Sequence, residues 1–193
     1  MEIEMRKIFF LLLVATFLIL SFSIASFADT SVPKKKQTDF GLIITALDAY
    51  TEWHTNPDKV KILDVRTTGE YIFVGHAPMA TNIPFKFLKA DMDLKKMKPI
   101  MPVNENFVDE VRKKFNETDT IMVMCRSGVR SAMSVNKLVK AGFKNVYNIV
   151  DGFEGNKINI PESYNNGKRL VNGWKNSGAP WTYELDPNLV YHP

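Results

Sequence analysis

The chain has 193 residues, 45% of them hydrophobic and 24% charged, with one cysteine, three histidines and a net charge of +4. That length suits one domain with a proper core, and a lone cysteine excludes an intramolecular disulfide. Scattered lysines without a basic stripe interleaved with aromatics exclude a nucleic-acid binder. His54, His76, His192 and the cysteine show no metal-ligand spacing, so neither a metal nor another cofactor is implied.

Arg6 and Lys7 precede an apolar run from Ile8 to Leu20 that continues, with serines mixed in, to Ala28. Ser26-Phe27-Ala28 fits the small-x-small pattern of a signal-peptidase site, so residues 1–28 read as a signal peptide cut before Asp29. An uncleaved anchor is the alternative, and only then would the chain associate with a membrane. No cysteine follows the apolar stretch, which excludes a lipoprotein anchor there. The folded part is therefore expected to be periplasmic or otherwise exported.

Residues 29–41, with Lys34-Lys35-Lys36, read as an exposed N-terminal segment, and 42–193 as a single domain with a C-terminal extension. Leu42 to His54 has helical character, with Ile44, Leu47, Ala49 and Trp53 available for a buried face, and Asn56-Pro57 ends it. Val60 to Val65 is a strand, and Arg66 to Tyr71 a turn entering another helix. Ala80 to Pro84 is a short extended piece. Glu105 to Phe115 predicts a helix with Asn104 as N-cap and Val108, Val111 and Phe115 as its stripe. Thr120 to Cys125 reads as a buried strand. Ser131 to Lys140 is a helix with Ala132, Val135, Leu138 and Val139 inward and Gly142 as C-cap. Asn145 to Val150 is another strand. Strands alternating with helices predict an α/β fold, a mainly parallel sheet covered on both faces. Segments 86–103 and 154–170 are longer than a minimal domain needs and read as surface loops. The aromatic-rich tail from Pro180 to Pro187 is expected to pack back on the domain, with Trp53, Trp174 and Trp181 as packing residues.

In such sheets the ligand crevice lies at the carboxyl ends of the strands, where both Cys125 and Asp64-Val65-Arg66 fall. Arg126-Ser127-Gly128-Val129-Arg130 is a polar, basic turn opening a helix, and its backbone N–H groups have no helical partner. Those donors, the helix dipole and two arginines should favour thiolate over thiol at Cys125 and hold a small oxyanion beside the sulfur. The arrangement suits sulfur or phosphorus chemistry. Asp64 and Arg66 tie strand end to helix start through charge-assisted bonds, with Glu70 as the expected partner of Arg66, or else line the crevice as supporting residues.

The chain resembles a rhodanese-type sulfurtransferase domain in its small single-domain exported form. The resemblance rests on Ile62-Leu63-Asp64-Val65-Arg66 with Glu70-Tyr71, Gly75-His76-Ala77-Pro78 and Asn82-Ile83-Pro84, and on Cys125 through Ala132. It continues with Gly142-Phe143, Val146-Tyr147, Asp151-Gly152-Phe153, Gly173-Trp174 and Gly178-Ala179-Pro180. It implies a three-layer fold around about five strands. Cys125 would be the nucleophile that accepts a sulfane sulfur from a small anion such as thiosulfate as a persulfide. Arg126, Ser127, Gly128, Val129 and Arg130 would form the binding loop, and cyanide or an exported protein thiol would be the acceptor. His76 would be a structural turn residue. Met79 departs from the glycine usual after the proline of the Gly-His block. Cysteine phosphatases, which share the look of this loop, carry Cys-x5-Arg. Here Arg130 comes one residue earlier, which crowds out a tetrahedral phosphate or arsenate. A sulfur carrier without turnover, a protein-binding module and a redox-sensing thiol stay open as alternatives.

Overall fold

The computed structural model describes residues 32–192, so the expected signal peptide lies outside them. Among the described residues are four α-helices, α1 (Ala46–Thr55), α2 (Thr68–Val74), α3 (Phe107–Arg112) and α4 (Val129–Lys140), and seven strands. The strands are β1 (Ile43–Ile44), β2 (Val60–Asp64), β3 (Thr81–Asn82), β4 (Met92–Asp93), β5 (Lys98–Pro99), β6 (Thr120–Met124) and β7 (Asn145–Ile149). Five of them form one sheet in the order β1-β7-β6-β2-β3, with every pairing parallel. β4 and β5 make a separate antiparallel ribbon.

The central strands are apolar on both faces because both faces are covered. Ile121, Val123 and Cys125 point to one side with Leu63, Val65 and Val146, against Phe107 and Val111 of α3 and Val135 and Leu138 of α4. Met122 and Met124 point to the other with Ile62, against Ala46 and Ala49 of α1 and Tyr71 of α2. This is the expected α/β sandwich. The α1 face differs in detail: Leu47 is half exposed, and Ala46 takes the buried place expected of it. The third helix starts at Phe107 rather than Glu105, because Asn104 works outside it, and ends at Arg112, before Phe115. Its amide donates to Pro84 O and to Glu110, while its Oδ1 accepts from Asn106 N–H. α4 ends as expected. Gly142, at φ 107°, closes a Schellman turn in which its N–H donates to Val139 O and that of Phe143 to Leu138 O.

The C-terminal extension does pack back. His76 and Thr182 exchange backbone hydrogen bonds, and Asn82 N–H donates to Leu189 O. His76 is buried, stacked on Tyr71 at 3.8 Å between ring centres, with its two ring nitrogens against Tyr71 O and Glu184 O. Trp174 is fully buried, and its indole N–H donates to Pro180 O. The N-terminal segment is less exposed than its composition predicts. Lys36 and Thr38 are buried, and Asp39 N–H donates to Asn136 of α4.

Candidate active site

The loops that follow β2, β6 and β7 meet at the carboxyl edge of the sheet. Cys125 comes directly after β6, and the register sets Val123 beside Asn148 of β7 and Asp64 of β2 beside Met124. The chain reverses into α4 at Gly128, whose φ of 95° is a left-handed conformation open to glycine. A side chain there would also strike the backbone of Val150. Gly152 is under a similar constraint, with φ 65° and no room for a Cβ against Cys125 O and Ser127 N. The loop after β7 is thus laid directly on the cysteine loop, and Phe153 N–H and Glu154 N–H donate to Cys125 O and Arg126 O.

Cys125 is 1% exposed, and its sulfur accepts two hydrogen bonds. Gly128 N–H donates to it at 3.2 Å and the Ser131 hydroxyl at 3.3 Å. Ser131, in the first turn of α4, is a donor the loop motif alone does not single out. The available signal is its place on the same helical turn as Gly128. Ser127 and Val129 flank Gly128 in the same loop and make no hydrogen bond to the sulfur.

The two loop arginines play different parts. Arg130 is held by Glu70 of α2 in a two-pronged pair, at 2.7 and 2.6 Å. Burial works against both charges, but the bonds and the charge of Arg130 hold the Glu70 carboxyl down to about 2. The Glu70 carboxylate in turn outweighs burial and strengthens the Arg130 cation. Glu70 also closes a capping box with Thr67 at the start of α2. Arg126 is exposed at the mouth, and its guanidinium has no ion-pair partner among the described residues.

Arg66 does not meet Glu70 as expected. Its guanidinium bonds the Asp64 carboxylate, with the shortest contact 2.6 Å, and Gly75 O at 2.8 Å, and it lies over the Phe153 ring at 4.0 Å. Both residues are fully buried. Asp64 and Arg66 therefore brace the end of β2 to Gly75 at the end of α2, not to the helix start expected of them. Two further cations come from segments whose sequence reads as solvent-facing. Arg169 is partly buried and bonds Gly155 O. Burial and the charge of Arg126 oppose its guanidinium, whereas Glu154 and Cys125 favour it. Lys36 is the second. Burial lowers its ammonium from the usual lysine range, against the opposing pull of Asp151 and Cys125.

A cleft of about 490 Å³ opens over the arginines, lined by Thr67, Glu70, Arg126 and Arg130 on one side and Leu88, Lys98, Pro99 and Met101 on the other. The second group belongs to segment 86–103, so part of that surface loop walls the approach to the loop. Another cleft, beside Tyr191 and Asn82, is not lined by Cys125 or its loop.

The family model of the rhodanese-like domain matches residues 48–158. The chain belongs to the rhodanese-like family. Within it, the uncharacterized protein RP600 of Rickettsia prowazekii is 36% identical over 124 residues, 63% of this chain and 82% of that protein. Thiosulfate sulfurtransferase 16 of Arabidopsis thaliana, a chloroplastic protein, is 37% identical over 93 residues, 48% of this chain and 70% of its own length. Among solved structures, Rv0390 from M. tuberculosis superposes with a TM-score of 0.55 at 27% identity, covering 73% of this chain and 96% of that one. The parallel sheet with helices on both faces is thus the family's fold, and sulfur transfer is the chemistry named among its relatives.

Proposed function

We propose that this chain is an exported sulfurtransferase that takes a sulfane sulfur from an anionic donor such as thiosulfate onto Cys125 and passes it to a thiophilic acceptor. The observation that carries the reading is the buried sulfur accepting hydrogen bonds from Gly128 N–H and the Ser131 hydroxyl, in a loop whose Arg126 and Arg130 line a cleft. The Cys125 thiolate attacks the outer sulfur of thiosulfate. A new S–S bond forms, the bond to the sulfonate sulfur breaks, and sulfite leaves with the bonding pair. The persulfide so formed bears its negative charge on the terminal sulfur, where the same donors and cations stabilise it. Cyanide then attacks that sulfur, leaves as thiocyanate and returns the thiolate. In the exported compartment a protein thiol would take the place of cyanide. The name of the Arabidopsis relative supports the donor class, and the basic start, apolar run and small-x-small end of residues 1–28 support export.

Purified protein given thiosulfate and cyanide should produce thiocyanate well above a Cys125→Ser variant. Equal production by the two would refute the enzymatic reading.

A further inference from the structure

Lys36 lies in a run of three lysines, yet it is 5% exposed. Its ammonium donates to Asn156 Oδ1 at 2.8 Å and makes no salt bridge among the described residues. A buried ammonium without a bonded carboxylate is costly, so its place needs a reason. The nearby Asp151 carboxylate is already engaged, accepting from Ala46 N–H and Gly173 N–H. The backbone of Lys36 is fixed as firmly as its side chain. Asn148 Nδ2 donates to Lys36 O at 2.8 Å and also to Gly128 O at 3.2 Å. Gly128 is the residue whose N–H bonds the Cys125 sulfur. One asparagine therefore ties the turn carrying Lys36 to the loop that cradles the nucleophile. The loop's own partly buried cation, Arg130, is committed to Glu70.

We propose that Lys36 is a positioning residue that holds negative charge on the Cys125 sulfur, as thiolate and as persulfide, and draws anionic donors toward it. The inference rests on Cys125 being the sulfur-accepting nucleophile. It gives the N-terminal segment a part in the site.

The test compares alkylation of Cys125 in the full purified chain by iodoacetate and by iodoacetamide at one pH, followed by intact mass. The reagents differ in charge, so their rate ratio reports the potential at the sulfur and cancels the fraction of thiolate present. Lys36→Met should lower the iodoacetate-to-iodoacetamide ratio roughly three- to tenfold, the effect of removing one nearby charge, and Lys36→Arg should restore most of it. An unchanged ratio in Lys36→Met overturns the proposal. Asn156→Asp, at a partly exposed position, sets a carboxylate against the ammonium while keeping the lysine. It should lower the ratio as well, and an unchanged ratio there overturns the proposal even if Lys36→Met does not fold. Alkylation does not require sulfur transfer. A lowered ratio in a protein that forms no persulfide would keep the electrostatic role and reject the sulfurtransferase reading; an unchanged ratio in a protein that does form one would do the reverse.

Discussion

At the scale of single residues, the pair between Glu70 and Arg130 holds the site together across the fold, since one partner opens α2 and the other lies in the first turn of α4. Because the folded state keeps the Glu70 carboxyl at about 2, below its usual value of 4.5, the pair stabilises the protein fully above that usual value. Its contribution is lost as pH falls toward 2. Glu70→Gln should therefore lower stability at pH 7 by about 1–3 kcal/mol in a denaturant titration, and the difference from wild type should shrink between pH 4.5 and 2. A constant difference across that range would contradict the assignment. The loop motif made Cys125 and its arginines legible because a strand end, a turn and a helix start are written in consecutive residues. The partner of Arg130 was not legible, since Glu70 and Arg66 sit near each other in sequence and only the tertiary fold decides which arginine each acid meets. Arg66 turned instead to Asp64, two residues away on the same strand end. The burial of Lys36 was hidden for a similar reason: three lysines in a row read as solvated, and only packing on Asn148 and Asn156 reverses that.

At the scale of elements, strand β6, the cysteine loop and α4 act as one unit, clamped by the loop that follows β7. Two glycines permit the clamp. Gly128→Ala places a Cβ against Val150 in a left-handed conformation, and Gly152→Ala does the same against Cys125 O. Each should cost about 2–4 kcal/mol in a thermal or denaturant melt and should remove sulfur transfer by displacing the N–H donor from the sulfur. An alanine variant at Gly128 with wild-type stability and turnover would contradict this geometry. Most of these elements could be read from pattern, because β6 is apolar from Ile121 to Met124, β2 and β7 are short and rich in branched and aromatic residues, and α4 has a clear inward stripe. The ends were harder. α3 starts at Phe107, after Asn106, because Asn104 spends its side chain on Pro84 O and Glu110 rather than capping the helix, and it stops at Arg112, before Phe115. The ribbon of β4 and β5 carries no alternating pattern, so it reads as a loop, although Lys98 and Pro99 reach the cleft above Arg126.

At the scale of the whole molecule, the C-terminal extension braces the same edge of the sheet that carries the site. Asp151 joins the start of α1 to Gly173, and Trp174 fills the space between α1 and the tail, edge-on to Tyr50 at 5.8 Å. Trp174→Ala should cost about 3–5 kcal/mol, the usual range for a fully buried indole, and should loosen the loop carrying Gly152. A loss below about 1 kcal/mol would show that the tail is not part of the core. The central claim remains the chemistry at Cys125, and intact mass measures it most directly. The purified protein should gain one sulfur atom on exposure to thiosulfate and lose it on addition of cyanide, with neither change in Cys125→Ser. A mass that thiosulfate leaves unaltered, in folded protein, would contradict the account.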